Sequence, residues 1–547
     1  LRAMWDQVRT VREDGIGAME LERARRIAEG RWLRRLEEME GQANHLAEWE
    51  ALGGWQLGDR YLERLLATTP EQVTDAARRW LDPAQASVIA YRPQESAAIA
   101  ADADAMRAFL GGERPAALPA SSPTAARTLP AVDAPVLERE EVGVRVYRTR
   151  RGLPILVRRK PGATIAHLGI QFVGGACEET DANAGITSLM ARAAVKGTTT
   201  RTAEQIAEEA ELLGGSIGPS AGSDSFGWAI SVPTRHLAAA AELLADVTQA
   251  PVFGDEVVET ERTAAIAAVV ALRDDMYRYP MRLVTQAAFA GHAYGVPVSG
   301  TEESLARLRA DALRDWHARQ VRAGAAALAV VTDGEPDAVA AMLARAFEAS
   351  GARAHGAHEA PRWPTERRER VERREKAQSA LAIAFPSPSR DDDDRFAAAM
   401  IATVASGLGG RFFEELREKR SLCYTVQAFQ SERRLAGSFV AYIATSPAQE
   451  AAARDGLLAE FAKLREHPVT AEELTRAQRY AIGVHAIRQQ SGGAVLGDVL
   501  DAWHFGHLAE LAEYEAQVRA VTPERMQAVA RRYFDPAVRV EGVVRGA

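Results

Sequence analysis

The sequence is poor in the residues from which covalent or thiolate-based frameworks are built. Only two of its 547 residues are cysteines, Cys177 and Cys423, and they lie far apart. Neither has a second cysteine or a histidine at ligand spacing, which argues against a disulfide framework and against a thiolate zinc site. No apolar run approaches the ~20 residues that a membrane-spanning helix needs, and the first residues lack the shape of a signal peptide.

The chain also lacks extended regions in which charges of one sign predominate. The formal net charge is −8, and basic and acidic residues are interleaved along most of the chain. The sequence therefore offers no coherent basic face, and we do not expect nucleic acid among its partners. Hydrophobic residues make up 47% of the chain, enough for several cores, and the usual size of domains predicts three or four units.

An internal repeat relates the beginning of the chain to its end. Ala18–Ala24 aligns with Ala471–Ala477, and at the same offset (471 − 18 = 453 residues) Arg78–Ala84 aligns with Arg531–Ala537. Similarity of this length indicates that one supersecondary unit occurs twice. The second copy is preceded by a stretch that the first copy lacks, so we expect residues 1–93 to be the C-terminal part of a truncated domain whose upstream part is missing.

Composition changes mark the remaining boundaries. Residues 94–137 are rich in Ala, Pro, Ser and Asp and are interpreted as a linker with one helix around Ala105–Leu110. Residues 138–352 form the next predicted domain, residues 353–375 a second linker, and residues 376–547 the last domain. Within the second linker, the charged run Glu366–Arg374 is interpreted as a solvated connector rather than a binding patch.

Alternating and helical periodicities predict an α+β class for both complete domains. Alternation over 142–157 predicts a β-hairpin, and amphipathic helices at Ala203–Leu213 and His236–Val247 flank a predicted strand at Phe226–Val232. In the last domain, Leu381–Phe385 predicts a strand and 395–406 a helix. Four aspartates, 391–394, precede that helix and would complement its dipole; a cation site is the less favoured alternative, because consecutive aspartates lack the spacing of a calcium loop.

The most informative segment is 407–428. Gly407, Gly409 and Gly410 predict a turn, which is followed by a short helix and then by a strand carrying Tyr424 on the same face as its neighbours Leu422 and Val426. This arrangement would place Arg417 and Tyr424 beside each other, and both can donate hydrogen bonds to carbonyl oxygens. From the residues alone, an ion pair of Arg417 with Glu414 and a buried Tyr424 are the more ordinary interpretation.

These motifs together resemble the pitrilysin/insulinase-type zinc metallopeptidases, also called inverzincins. The resemblance is carried by the run from Gly407 to Arg417 with a tyrosine seven residues later, by 291–297 followed by Gly300-Thr301, and by 330–335. It covers residues 1–93 and 138–547. It implies tandem domains, each a mainly antiparallel sheet flanked by helices, with Arg417 and Tyr424 as catalytic residues and the glycines at 407, 409 and 410 as substrate-binding residues.

The zinc-binding residues of the resembled family are absent when its motif is aligned with this sequence. Gly185 and Lys196-Gly197-Thr198 match its flanks, but the ligand and base positions of His-x-x-Glu-His fall on Ser188, Ala191 and Arg192. The downstream glutamate ligand should fall near Ala268, within 261–271, where alanine also stands. Zinc hydrolysis needs three good protein ligands and an open water position, so we predict no metal ligands in this chain.

Two His-x-x-His pairs remain as candidate metal ligands, His355/His358 and His504/His507. Neither has a nearby glutamate base or an evident third ligand in the sequence, and both are interpreted as surface histidines.

The resemblance therefore implies part of a zinc-dependent endopeptidase that cleaves extended or unstructured peptides. This chain would supply the substrate-binding half, and the zinc expected for the complete enzyme would lie upstream or on a partner subunit, so the chain alone is expected to be inactive. The alternative is a non-catalytic partner or scaffold subunit of the same fold. Expected partners are peptide substrates and either the missing N-terminal half or a zinc-bearing subunit.

Overall fold

A computed structural model describes residues 1–93, 95–111, 130–351, 356, 358–407 and 409–546. The chain divides into two compact units, Leu1–Ala126 with Glu204–Ser216 and Arg127–Ala203 with Ile217–Ala547. Elements are numbered in chain order. The described part of the first unit is helical: α1 (Arg2–Glu13), α2 (Ala18–Arg35), α3 (Met39–Ala51), α4 (Leu57–Leu66), α5 (Pro70–Trp80), α6 (Ala103–Leu110) and α8 (Ala203–Leu212).

The second unit contains two β-sheets. The first sheet has the strand order β1-β2-β3-β7-β4-β6-β5 and the second has the order β10-β11-β9-β12-β8. The strands are β1 (Val136–Glu141), β2 (Val144–Arg148), β3 (Pro154–Arg159), β4 (Ile165–Val173), β5 (Ile217–Ala221), β6 (Ser225–Pro233), β7 (Ala326–Thr332), β8 (Arg368–Arg374), β9 (Ser379–Ser387), β10 (Thr425–Ser431), β11 (Gly437–Thr445) and β12 (Val540–Gly546).

Both sheets repeat one topology. The order β3-β7-β4-β6-β5 of the first sheet corresponds strand for strand to β8-β12-β9-β11-β10 of the second. Each sheet has one parallel pair, β3–β7 or β8–β12, and its other pairs are antiparallel. The β1–β2 hairpin extends the first sheet only. The predicted α+β class, with tandem mainly antiparallel sheets, is confirmed.

Helices cover both sheets of the second unit. They are α7 (Ile186–Ala194), α9 (Leu237–Gln249), α10 (Asp255–Leu272), α11 (Arg278–Ala288), α12 (Glu302–Arg307), α13 (Ala310–His317), α14 (Pro336–Ala346), α15 (Arg395–Ala405), α16 (Glu450–Glu466), α17 (Ala471–Arg488), α18 (Gly492–Phe505), α19 (Glu510–Ala520) and α20 (Pro523–Tyr533). Within the described ranges, none of the helices is long and apolar enough to cross a membrane.

The two sheets exchange helices. α11 lies between β6 and β7 of the first sheet in sequence, but it packs against β12 and β9 of the second sheet, where Val284 and Ala287 join Ala382 and Val540 in one apolar cluster. In return, α18 packs against β4 and β7 of the first sheet and buries four aliphatic side chains there: Val495, Leu496, Val499 and Leu500. Each sheet is therefore completed by a helix from the other half of the unit.

The internal repeat is confirmed by matching elements. α2 and α17 have the same length and begin at equivalent residues, and α5 and α20 both begin at a proline after a threonine N-cap. The hydroxyls of Thr69 and Thr522 accept hydrogen bonds from the backbone N–H groups of Gln72 and Arg525, which satisfies one free donor at each helix start.

Most predicted elements occur within two residues of their expected bounds, but one interpretation is wrong. The charged run Glu366–Arg374 is not a connector, because 368–374 forms β8, an edge strand that pairs in parallel with β12. Charged side chains along an exposed edge discourage pairing with further strands. The aspartates before α15 also form specific contacts: the Asp394 carboxylate pairs with Arg525 at 2.5 Å and with Arg532 at 3.1 Å, so it ties α15 to α20.

Candidate functional site

The glycine-rich turn before the Arg417 helix requires glycine at two of its positions. Gly407 has a φ of +84°, a conformation that L side chains rarely adopt. The Gly410 N–H donates to the Gly407 carbonyl at 3.0 Å, and a Cβ at Gly410 would lie 2.2 Å from the Ser406 carbonyl oxygen. Gly409 has open space around its Cα. The turn therefore brings bare backbone to the surface.

The helix that follows is wider than an α-helix. Phe413–Glu418 is π-helical, and the Lys419 N–H donates to the Glu414 carbonyl five residues earlier, at 3.0 Å. The helix ends at Glu418, and the turn after it is closed at Ser421, whose φ is +51°. There the Leu422 N–H donates to the Leu416 carbonyl and the Ser421 N–H to the Arg417 carbonyl, both at 2.9 Å. This double closure is one residue wider than a Schellman motif, and it fixes the carbonyl groups of Leu416 and Arg417.

Arg417 and Tyr424 lie beside each other, as the spacing predicts. The guanidinium carbon of Arg417 is 4.7 Å from the ring centroid of Tyr424 and 4.6 Å from that of Phe413. The guanidinium is therefore stacked between two aromatic faces, a favourable cation–π arrangement. Within the described part of the chain, the Arg417 guanidinium forms no hydrogen bond or ion pair, and Glu414 instead contacts Lys419 at 3.0 Å.

The predicted orientation of Tyr424 is wrong. Leu422 and Val426 are buried in the core, whereas Tyr424 is 75% exposed. The reason is that β10 begins only at Thr425, so the alternation of a strand does not extend back to Tyr424. Its ring leaves the core and stacks on Arg417, which leaves the phenolic hydroxyl at the surface.

An open cleft of about 710 Å³ lies next to this segment. Its walls are α15, the glycine turn through Gly407 and Gly409, β10 and α17, and it includes the exposed ring of Tyr480. Most of its accessible lining is apolar, with Glu432, Glu473 and Arg476 as charged exceptions. A cleft with glycine backbone on one side and an apolar floor can accept an extended segment of peptide.

Arg411 connects the glycine turn to α17. Its Nε and a terminal nitrogen donate to the two carboxylate oxygens of Glu473 at 2.5 and 2.7 Å. Glu473 also accepts the backbone N–H of Thr470 at 2.8 Å and so caps α17. The bond from Arg411 is the main reason that the pKa of Glu473 falls from 4.5 to about 2. One wall of the cleft is thus fixed by a charged bidentate contact.

The positions of the failed zinc motif lie on α7, whose start is tightly organised. Gly185, at a φ of +87°, packs so closely that a Cβ would lie 2.8 Å from Gly300. The buried carboxylate of Glu179 accepts the N–H groups of Gly185 and Thr187 at 2.7 and 2.9 Å. Burial is the largest influence on this carboxyl and raises its pKa. The segment that matches the start of the zinc motif therefore begins a tightly packed helix.

Arg192 occupies the last ligand position and faces α10. Its guanidinium donates twice to one carboxylate oxygen of Glu261, at 3.1 and 2.8 Å, and Lys196 lies 3.8 Å from the other oxygen. The position predicted for the downstream ligand, Ala268, is exposed on α10, and Glu261 of the same helix is the carboxylate that contacts Arg192 on α7.

These residues do not fit a catalytic zinc ion. Ser188 and Arg192 replace nitrogen ligands, and Ala191, at the position of the base, is buried. The one remaining carboxylate, Glu261, is already paired with two cations. A guanidinium repels a metal ion at close range and cannot act as its ligand.

The Lys-Gly-Thr flank of the motif has a structural role that the sequence did not reveal. Asp246 on α9 is only 2% exposed, and one of its oxygens accepts hydrogen bonds from Thr198, Thr200 and Arg201 at 2.6, 2.8 and 2.9 Å. Because a buried carboxylate is costly unless it is fully paired, this cluster locks the loop after α7 onto α9.

The candidate histidines have different surroundings. His507 is 2.8 Å from Asp391, and His358 is 2.7 Å from Glu178 and half-buried. His355 lies outside the described residues. Of the cysteines, Cys423 packs against the core of the second sheet, and burial raises its pKa to about 11.

The fold and the degenerate site define a pair of metallopeptidase-like domains. The family model described as "Insulinase (Peptidase family M16)" matches residues 154–302, and the model described as "Peptidase M16 inactive domain" matches residues 307–480. The chain belongs to the M16 peptidase family.

Individual relatives agree with this assignment. An uncharacterised zinc protease of Streptomyces coelicolor is 26% identical over 389 residues, which cover 70% of this chain and 85% of the relative. The crystal structure of a "peptidase M16 inactive domain" from Pseudomonas fluorescens superposes with a TM-score of 0.68 at 21% identity, covering 74% of this chain and 99% of the other. A protease from Helicobacter pylori gives 0.67 at 17% identity, over 76% of this chain and 100% of the other. These structures show the same fold.

Proposed function

We propose that this chain is the substrate-binding part of a zinc-dependent endopeptidase whose metal site lies on another polypeptide or on an upstream segment. Arg417 and Tyr424 donate hydrogen bonds to carbonyl oxygens of an extended peptide, and the glycine turn 407–410 lets the peptide approach backbone. The observation that carries this proposal is the Arg417 guanidinium, held between two rings 4.6 and 4.7 Å away and without an ion-pair partner among the described residues.

The energetics favour a binding role over a purely structural one. A cation that only stabilised the fold would be expected to pair with one of the carboxylates on its own helix, yet Glu414 and Glu415 both contact Lys419. The exposed Tyr424 hydroxyl adds a second donor close to the first. Fixed donors of this kind lower the barrier of acyl transfer when negative charge develops on a carbonyl oxygen.

The catalytic zinc in this proposal is inferred from the relatives and not from the motif positions of this chain. The Streptomyces relative is named a zinc protease, whereas Ser188, Ala191 and Arg192 offer no metal ligands. We therefore expect this chain by itself to bind peptides without cleaving them.

The test combines peptide binding with cleavage. Binding of a fluorescent unstructured peptide to this chain alone is measured by anisotropy, and cleavage of a quenched-fluorescent peptide is measured after adding the polypeptide that carries His-x-x-Glu-His. Arg417→Ala and Tyr424→Phe should weaken binding by ~10-fold or more and lower kcat/KM by ~10²-fold. Arg420→Ala on the same helix end and Tyr61→Phe in the first unit are the matched controls and should change neither.

Two results would redirect the assignment. Equal binding by the wild-type chain and both variants would remove the proposed role of the pair. Absence of cleavage with both polypeptides folded and zinc supplied would favour the alternative, a non-catalytic partner or scaffold subunit of the same fold.

We also propose that the first unit docks against a sheet of a further domain of this kind. α3 is equivalent to α18, and Leu46 and Trp55 correspond to Val499 and Leu508. Val499 and Leu508 are 1% and 3% exposed under the first sheet, but Leu46 and Trp55 are 49% and 48% exposed. These two side chains line an open apolar cavity of about 590 Å³. The surface that α18 uses to cover a sheet is thus exposed at the equivalent positions in the described part of the first unit.

A further inference from the structure

Three metal-ligating side chains of different chemistry converge beyond the end of β4. Cys177 and Glu178 lie in the 3₁₀ turn Ala176–Glu178, and His358 comes from the segment between the two sheets. The thiol sulfur, a carboxylate oxygen and an imidazole nitrogen all lie within 4.8 Å of one another. His358 Nε2 is already 2.7 Å from Glu178 Oε1 although the residues are 180 positions apart.

The turn that carries Cys177 and Glu178 is fixed by its backbone. Gly174 and Gly175 have φ values of +126° and +107°, and a Cβ on Gly175 would lie 2.5 Å from the Gly222 carbonyl oxygen. The N–H groups of Ala176 and Cys177 donate to the carbonyls of residues 222 and 223 at 3.0 and 2.9 Å. Two of the three ligand-type side chains are therefore presented from a preorganised backbone, as a specific site requires.

The segment next to His358 is anchored as well. The His292 Nδ1 atom accepts the Tyr294 N–H at 3.0 Å, so its Nε2 carries the proton and donates to the Glu359 carbonyl at 3.0 Å. Further along, the Trp363 indole N–H donates to the Val538 carbonyl at 2.8 Å. The imidazole of His358 therefore extends from a segment that is anchored at Glu359 and at Trp363.

The local charge favours a cation. Glu178 supplies one carboxylate to the cluster, and Asp224 directly follows Ser223, whose carbonyl accepts the Cys177 N–H at 2.9 Å. A divalent cation would offset both carboxylates and stabilise the thiolate, since a coordinating thiol is deprotonated by the metal.

We propose that Cys177, Glu178 and His358 bind one divalent transition-metal ion, with zinc as the best chemical match. A mixed sulfur, nitrogen and oxygen set suits a borderline cation such as Zn²⁺ or Co²⁺ and does not suit Mg²⁺ or Ca²⁺. Bonds of about 2.0–2.3 Å hold tetrahedral ligand atoms roughly 3.3–3.7 Å apart, so binding requires side-chain shifts of about 1 Å. A water molecule would complete the coordination.

This site shares no residue with the failed zinc motif on α7, and its role differs. The ion would fasten the segment between the sheets to the first sheet, which is a structural role. The inference does not depend on peptide binding by Arg417 and Tyr424.

The test is a Co²⁺ titration of the full metal-free chain. We expect one equivalent of Co²⁺ to produce d–d bands of tetrahedral intensity and a near-ultraviolet thiolate-to-cobalt charge-transfer band, and Zn²⁺ to displace it and raise the temperature of thermal unfolding. Cys177→Ser should abolish the charge-transfer band, and His358→Gln and Glu178→Gln should weaken Co²⁺ binding by ~10-fold or more.

Matched variants make the result decisive. Cys423→Ser removes the other thiol, and His507→Ala removes a histidine that contacts a carboxylate but has no thiol nearby. Glu261→Gln alters the carboxylate beside the zinc-motif positions. All three variants should give the same cobalt spectrum as the wild-type chain. The proposal is overturned if the folded wild-type chain, checked by circular dichroism, shows no charge-transfer band, or if the band survives Cys177→Ser and disappears with Cys423→Ser.

Discussion

At the residue scale, Arg192 at the last position of the zinc motif provides a positive charge beside the carboxylate of Glu261. Glu261 faces α7 from α10, and a carboxylate in that half-buried position is costly unless a cation lies beside it. Arg192 supplies this cation at 2.8 Å and Lys196 adds a second at 3.8 Å. The packing of α7 against α10 is therefore electrostatically satisfied without an ion, and the loss of the ligands need not open the domain.

The contact between Arg411 and Glu473 predicts a specific pH dependence at the same scale. The pKa of Glu473 is lowered to about 2 in the folded state, so its contribution to stability is complete above its usual pKa of 4.5 and is lost as the pH falls from there towards 2. Arg411→Ala should cost about 1–2 kcal/mol at neutral pH, because both side chains are partly exposed. It should also flatten the loss of stability below pH ~4.5.

The measurement is the midpoint of urea unfolding between neutral pH and the lowest pH at which the chain remains folded. Arg519→Ala is the control, because its ion pair with Glu515 has similar geometry at 2.7 Å but is more than half exposed, and it should cost only ~0.3–0.5 kcal/mol. Equal pH profiles for the wild-type chain and Arg411→Ala would contradict the prediction.

At the scale of elements, the sequence predicted those structures whose causes are local. A few residues suffice to predict the starts of α5 and α20, from Thr-Pro-Glu, and the strands β2 and β3, from their alternation. The strand β8 was missed because its charged run lacks alternation and its partner β12 lies about 170 residues away. The left-handed conformation at Ser421 was not predicted, because this position is usually taken by glycine and here carries serine.

The close packing of α11 against the second sheet requires a glycine at position 542. A Cβ at Gly542 in β12 would lie 2.4 Å from the Pro280 carbonyl oxygen and 2.6 Å from the Val284 nitrogen of α11. Gly542→Ala should therefore force α11 away from the second sheet and destabilise the unit by about 1–3 kcal/mol. The measurement is the denaturant midpoint followed by tryptophan fluorescence.

Gly497→Ala tests the same substitution on the reciprocal helix, α18. A Cβ at this position meets no atom within 4 Å, so the change should be neutral or stabilise the chain by ~0.5–1 kcal/mol through helix propensity. If Gly542→Ala proves as harmless as Gly497→Ala, the close approach of α11 is not what holds the two sheets together.

At the scale of the whole molecule, candidate sites arise from residues that only the fold can bring together. Arg417 and Tyr424 are seven positions apart and could be paired from the sequence, but Cys177 and His358 meet across 181 positions. The contact between Arg192 and Glu261 joins residues 69 positions apart and was not predicted either. Pairing of distant residues is set by sheet topology, which single-sequence patterns constrain only weakly.

At this scale, the internal repeat allows a last prediction, because the segment that forms a strand in the second copy forms none in the first copy. Residues 87–93 are equivalent to β12, but they form no strand, and Ile89 and Tyr91 are fully exposed where Gly542 and Val544 are buried or packed. By hydrogen–deuterium exchange, amides of 87–93 should exchange at least ~10³-fold faster than those of 540–546, since a strand within a sheet opens only at several kcal/mol. Addition of the polypeptide that carries His-x-x-Glu-His should then protect 87–93, whereas the α5 and α20 segments, which have matching bounds, should change little. Strong protection of 87–93 in the isolated chain would mean that the first unit already has its sheet partner within this chain, and the proposed docking against a further domain would fail.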